Sequence, residues 1–242
     1  MLRFFLESLT DQLVVLDSKQ PCGLVGGYDI ITNVLKNPSH DLFENQTVES
    51  IIHNELFVIK GNTKVRELLQ SWSKSKRAFS IIKDKSSFFA VSIRILLGIY
   101  PFLDTDLTTS DIPKKKTIHY AKDQSVKEIL DTMIQNKTRR LVLEGTSSYI
   151  SDRMIIEKIS THLNYLYRID DFLDMPCSIF QPAYAITIPS HIPIQNLCAM
   201  LYAAEHPYII KDDQVFSPFD IIGILERDDV HAKSIEDVKA VM

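Results

Sequence analysis

Near its C-terminal end the chain reads VFSPFDIIGIL from Val215, setting the hydroxyl of Ser217 three residues ahead of the carboxylate of Asp220. From Leu24 it reads LVGGYDIITNVL, with Gly26 and Asp29 at the same spacing. In both stretches a short apolar run ends at a small residue, and an apolar pattern of helical period follows. A helix that begins there offers unpaired N–H groups and the positive end of its dipole to an anion. A carboxylate in its first turn accepts two hydroxyl protons at once, as from a sugar diol, and charged acceptors make the stronger hydrogen bonds. The same spacing is also a capping box, with Ser217 as N-cap, Pro218 at N1 and Asp220 at N3. The two uses are compatible, and the residues alone leave both open.

Other chemistries find less support. The seven histidines show no HExxH or close pairing, and there is no P-loop lysine, GxSxG elbow or GxGxxG. His206, at a helix-to-strand corner, reads either as a pocket wall or as a solvated cap. Cys22, Cys177 and Cys198 form no CxxC pair and fit free thiols in a reducing cytoplasm. A net charge of -4 lacks the basic excess of a nucleic-acid binder. The run Lys114-Lys115-Lys116 after Pro113 reads as a solvated turn, with a phosphate-binding patch as the alternative. The opening MLRFFLESL reaches Glu7 too soon for a secretory signal, and the apolar stretch Phe88–Leu103 is interrupted by Arg94 and broken by Pro101. The expectation is a cytoplasmic protein with neither nucleic acid nor membrane as partner. Its 242 residues, 45% hydrophobic and 24% charged, suffice for one large core or two ordinary ones.

The elements that must position these groups recur. Gly26, Ser92, Ser151 and Ser217 each follow a β-like run, at separations of 66, 59 and 66 residues. Their contexts are LVGGYDIITNVL, FAVSIRILLGIY, SYISDRMIIEKI and QVFSPFDIIGIL. Ahead of each lies a second β-like run: QLVVLD, FSIIKD, RLVLEG and PYIIKDD. Short polar segments join the two runs, which predicts hairpins. Amphipathic helices are predicted from Val65, Val126 and Ile194, the second opened by a Ser125–Glu128 capping box and the third preceded by Pro193. Further β-like runs, ELFVIKG, KTIHYAK and AYAITIP, precede those helices. The repeating unit is strand, helix, strand, strand, helix, about 60 residues long.

This pattern resembles the CBS domain, the repeat named for cystathionine β-synthase, which occurs in tandem pairs called Bateman modules. The resemblance covers nearly the whole chain, with three full repeats and a first one lacking its opening strand and much of its first helix. TVESIIHNELFVIKGNTKVRELL from Thr47 is similar to a CBS opening, and SDRMI from Ser151 departs from the family's T-D-R-D-I at Ser151 and Met154. The resemblance implies an α/β fold of α+β repeats, tandem CBS domains paired into two modules over roughly residues 1–105 and 106–242. The expected divisions are residues 1–40 (partial repeat one), 41–105, 106–165 and 166–228 (repeats two to four), and a charged tail at 229–242.

In the CBS family the stretch G-h-h-[ST]-x-x-[DN] sets its hydroxyl near a nucleotide phosphate and its carboxylate on the ribose. Carried over, this implies a site in repeat four made of Ser217, Phe219 and Asp220, with Ala185, Ile186 and Tyr208 as walls for the base, Ile186 and Tyr208 reading equally as plain core. Asp29 is the counterpart in repeat one, where Gly26 replaces the hydroxyl and admits a phosphate to backbone N–H groups. The middle repeats keep Ser92 and Ser151 but carry Ile95 and Met154 where the aspartate belongs, and an aliphatic chain binds no diol. Arg94 and Arg153 reach a phosphate of the neighbouring repeat or are solvated. Arg139 and Arg140 supply positive charge or form a surface pair.

Two functional readings come with the resemblance. One is a non-catalytic sensor that binds an adenine nucleotide or adenosyl ligand, requires no cofactor, and passes its state to a regulated partner protein; AMP, ADP, ATP and S-adenosylmethionine are the regulatory ligands implied. The other is a ligand-free scaffold for dimerisation or docking. The apolar helix faces ILLGIY and DIIGIL, and the edge left by an incomplete first repeat, point to burial against other helices and to a homodimer.

Overall fold

In the computed structural model, which describes residues 12–53, 56–84, 87–102, 105–162 and 172–226, the periodicity becomes short strands and helices in the expected order. The first half of the chain runs β1 (Gln12–Asp17), β2 (Gln20–Gly26), α1 (Gly27–Lys36), α2 (Asp41–Glu44), β3 (Val58–Lys60), α3 (Val65–Ser75), β4 (Phe79–Asp84), β5 (Ser87–Ser92) and α4 (Ile93–Leu97). The second half continues with β6 (His119–Tyr120), α5 (Val126–Gln135), β7 (Arg140–Leu143), β8 (Ser148–Ser151), α6 (Asp152–Thr161), β9 (Ala183–Tyr184), β10 (Ile186–Thr187), α7 (Ile194–Ala203), β11 (Ile209–Lys211), β12 (Gln214–Phe216) and α8 (Pro218–Leu225). The predicted helices start at Val65, Val126 and Ile194 as expected. The opening MLRFFLESL and the tail 229–242 lie outside the described residues.

One arithmetic governs the helices. Counting from the first helical residue, the buried positions fall at offsets of zero, three, four and seven, the stripe of a helix that covers a core. They are Val65, Leu68, Leu69 and Trp72 in α3; Val126, Ile129, Leu130 and Met133 in α5; Ile194, Leu197, Cys198 and Leu201 in α7. The second helix of each repeat obeys the same rule: Gly27, Ile30, Ile31, Val34 in α1 and Asp152, Ile155, Ile156, Ile159 in α6. In α8 the same offsets hold Pro218, Ile221, Ile222 and Leu225, with Asp220 and Ile224 buried beside them. The odd member is Asp152, a carboxylate in a slot that is apolar or glycine elsewhere.

Each full repeat forms a small sheet in which the first strand lies parallel to the second and the second antiparallel to the third. The ladders are β3-β4-β5, β6-β7-β8 and β10-β11-β12. A strand followed by a helix and a parallel strand needs that helix as its crossover, which explains the placement of α3, α5 and α7. The first repeat contributes the hairpin β1-β2, turned at Ser18 and Lys19 with φ of 47° and 67°, both in the left-handed region that two-residue hairpin turns use.

Helix packing groups the repeats out of chain order. One unit comprises the chain to Leu56 with Thr117–Ala185, and the other Phe57–Lys116 with the chain from Ile186. In the first, α1 packs on α5 and α6, so repeats one and three share a core. In the second, α8 packs on α3 and α4, and α4 on α7, so repeats two and four share another. The halves 1–105 and 106–242 therefore each supply part of both units. The apolar faces ILLGIY and DIIGIL are buried together in the second unit's core. They give no ground for a second copy of the chain. The run AYAITIP, expected as one strand, is divided at Ala185: β9 joins β8 in the first unit, and β10 joins β11 in the second.

Candidate functional site

The start of α8 is where the second unit gathers the most of the expected site. The β12 strand ends at Phe216, Ser217 takes an extended N-cap conformation (φ -129°, ψ 166°), and Pro218 opens the helix. Proline suits that position because its missing N–H belongs to the unbonded first turn. Asp220 folds back as the cap: its Oδ2 accepts from the Ser217 N–H at 2.8 Å and from the Ser217 hydroxyl. The hydroxyl thus points at the carboxylate beside it. Asp220 is 7% exposed and Ser217 4%.

The other carboxylate oxygen receives a partner that the sequence pattern does not single out. Lys115 Nζ lies 2.6 Å from Asp220 Oδ1 and 5.6 Å from the centroid of the Phe219 ring. The lysine side chain is 58% exposed and that of Asp220 only 5%. The expectation of a solvated turn at Lys114–Lys116 is therefore corrected at Lys115, whose ammonium is an ion-pair partner. The residues are 105 apart in sequence, which is why no local pattern announces the contact. Asp212 is held below its ordinary carboxylate value, first by the hydrogen bond and charge of Lys211 and then, more weakly, by the charges of His191 and Lys114.

The predicted pocket walls are only partly assembled. Ile186 pairs with Ile209, and Ile209 with Phe216, so one ladder row leads from β10 to the residue before Ser217. Ile186 is 45% exposed and Tyr208, just ahead of β11, 9%. Ala185 falls in the first unit, where its N–H donates to the Ser147 carbonyl at 3.0 Å. His206 lies two residues before Tyr208, and its carbonyl accepts the Tyr208 N–H at 2.8 Å.

In the first unit, Asp29 repeats the cap. Its Oδ2 accepts from the Gly26 N–H at 2.8 Å. The surroundings differ, because Gly27 abuts Asp152. A Cβ added to Gly27 would stand 2.3 Å from Asp152 Oδ2 and 3.4 Å from Arg139 Nη2, so only glycine fits there. Asp152 is fully buried, with Oδ2 bound by Arg139 Nε at 2.7 Å and Oδ1 by the Arg153 N–H at 2.8 Å. Arg139, expected to supply charge to a site or to form a surface pair, neutralises a buried acid. The available signal is Asp152 itself, out of place in an apolar stripe.

The middle repeats use their predicted residues structurally. Ser92 is the N-cap of α4, a helix of five residues. Arg94, expected as solvated or as a phosphate ligand, instead donates through Nη2 to the carbonyls of Ala204 at 2.8 Å and Tyr202 at 3.3 Å. It caps the C-terminus of α7, where carbonyls are unbonded and a cation suits the dipole. Tyr28 does the same in the first unit, its hydroxyl donating to the Ile134 carbonyl at 3.1 Å at the end of α5. Ser151 accepts the Met154 N–H at 3.3 Å as an N-cap, and Arg153 pairs with Glu157 at 3.0 Å on its own helix. No described group of His, Cys, Asp and Glu could hold a metal ion. Burial pushes the Cys198 thiol up to about 12, which disfavours its thiolate. Among the described residues, no helix is long and apolar enough to cross a membrane.

No protein-family model matches the chain, and no curated protein matches it. Solved structures do. A Methanocaldococcus jannaschii protein put forward as an archaeal homologue of γ-AMPK aligns over 93% of this chain and 91% of its own, with 14% identity and a TM-score of 0.78. An uncharacterised conserved protein of Pyrococcus horikoshii aligns over 89% and 91%, with 10% identity and a TM-score of 0.57. A CBS domain protein of Pyrobaculum aerophilum complexed with AMP covers 48% of this chain and 90% of its own at 16% identity, but its TM-score of 0.37 carries no weight. Strand and helix order, the repeated burial stripe and the likeness over nearly the full length agree: this chain has the fold of tandem CBS repeats.

Proposed function

We propose that the chain is a non-catalytic regulatory protein that binds an adenine nucleotide, or a related adenosyl ligand, at the start of α8. The observation that carries this reading is Asp220: a buried acid at the positive end of a helix, in the place the CBS pattern gives to the ribose acceptor. Its Oδ2 is fixed by Ser217, while Oδ1 faces an exposed partner in Lys115. Phe219 and Ile186 add apolar surface of the kind a base requires. Ser217, Phe219, Asp220, Ile186 and Tyr208 are the proposed contacts, with Gly26 and Asp29 as a weaker second site. Ser92, Arg94, Ser151 and Arg153 remain weaker proposed contacts of the middle repeats, Arg94 being engaged with α7 and Arg153 with Glu157.

Binding regulates only if the ligand prefers one conformation of the repeats over another. Thermal melting in AMP, ADP, ATP and S-adenosylmethionine tests the proposal. A ligand at about 100 times its Kd adds about 2.7 kcal/mol of stability, and Asp220→Asn abolishes the shift. Melting points unmoved by any of the four would sink the reading.

A scaffold without ligand is the second reading, favoured by a specific observation. Both donors of Ser217 are spent on Asp220, Arg94 is spent on α7, and Ile95 and Met154 offer no acceptor. Titration of oligomeric state by light scattering, with and without nucleotide, separates assembly from sensing.

A further inference from the structure

The Lys115–Asp220 pair bears on which ligands the α8 site accepts, an inference that rests on the nucleotide reading of that site. We propose that Lys115 is its specificity-determining residue. Without ligand its ammonium holds Asp220 Oδ1; on binding it yields that oxygen to the ribose hydroxyls and moves to the phosphate. The site then selects phosphorylated nucleosides over nucleosides.

The asymmetry of burial supports the exchange. The Asp220 side chain is 5% exposed, and an acid so buried cannot be left with an oxygen unpaired at small cost. Lys115, 58% exposed, loses little when its head turns into water. A ligand that takes Oδ1 must therefore bring its own donors, and a vicinal diol brings two. Ser217 occupies Oδ2 with both its N–H and its hydroxyl, so the exchange falls on Oδ1.

The released lysine stays close. Its Nζ already lies 5.6 Å from the Phe219 ring centroid, a face that attracts a cation. Phe219 is at N2 of α8, in the first turn of the helix. A phosphate there meets the helix dipole and the ammonium together. A nucleoside breaks the same ion pair and gives the lysine no anion in return.

Calorimetric titration of the full chain with AMP and with adenosine decides the matter, using wild type, Lys115→Met and Lys115→Arg. The expected result is a crossover. Lys115→Met binds AMP about tenfold more weakly and adenosine more tightly, while Lys115→Arg keeps the preference for AMP. If Lys115→Met, folded by its circular dichroism, changes both ligands equally or neither, the lysine has no selective role and the nucleotide reading stands. If wild type binds neither compound, the nucleotide reading falls and takes this one with it.

Discussion

The first turns of α1 and α8 make the same bond in opposite surroundings. Asp29 and Asp220 each accept the N-cap N–H at 2.8 Å. At α8 the helix opens with Pro218 and the acid is answered by an exposed lysine; at α1 it opens with Gly27, pressed against a buried Asp152 that Arg139 neutralises. One start is a carboxylate whose partner can be exchanged. The other adjoins a buried carboxylate that leaves no space for even a methyl group. The spacing of an acid three residues into a helix therefore says where a ligand could sit, and the offset-zero residue says whether there is room.

The largest effect that would break this comparison is at that buried acid. Asp152→Ala leaves Arg139 without its acid and should cost about 3 kcal/mol, seen as a fall in urea midpoint with unchanged slope. Gly27→Ala should cost about 2 kcal/mol or more, because its new Cβ falls within 2.3 Å of Asp152 Oδ2. If Asp152→Ala relieves the Gly27→Ala penalty, the close approach is the cause. Equal, additive losses would show the contact to be unimportant.

Smaller effects sharpen it. Arg94→Met removes two hydrogen bonds from the end of α7 and should cost about 1–2 kcal/mol; Tyr28→Phe removes one from the end of α5 and about 1 kcal/mol. Amide exchange should rise in the last turn of the affected helix and nowhere in the other unit.

The smallest effect concerns pH. The Ser125 N–H and hydroxyl hold Glu128 below its ordinary value of 4.5, so its cap contributes fully above that range and is lost as pH falls through the depressed value. A carboxyl-carbon NMR titration should place Glu128 below free glutamate, and Ser125→Ala, which removes the hydroxyl but keeps the N–H that has the larger effect, should raise it only partway.

Much of the fold can be read from the residues because each repeat is built from local signals. Strand runs such as QLVVLD and FSIIKD and the helix starts at Val65, Val126 and Ile194 depend on alternation and on a stripe of period 3.6. The pairing of repeats one with three and two with four is not readable, since the apolar stripes are alike and none names its partner. The site divides in the same way. Asp220 and its cap follow from spacing, but Lys115 on Asp220 and Arg94 on Ala204 join residues 105 and 110 apart. The role of Arg94 escapes any reading of its own repeat alone, because the open carbonyls it satisfies belong to another.

The interleaving of the units has a consequence for synthesis. As the chain leaves the ribosome, repeats one and two emerge first, yet each shares its core with a segment still to be translated. Closing such long loops is slow, and half-built cores expose the surfaces that chaperones bind. A cut between Lys116 and Thr117 would strand half of each core on either fragment, so the two pieces can regain structure only by finding each other.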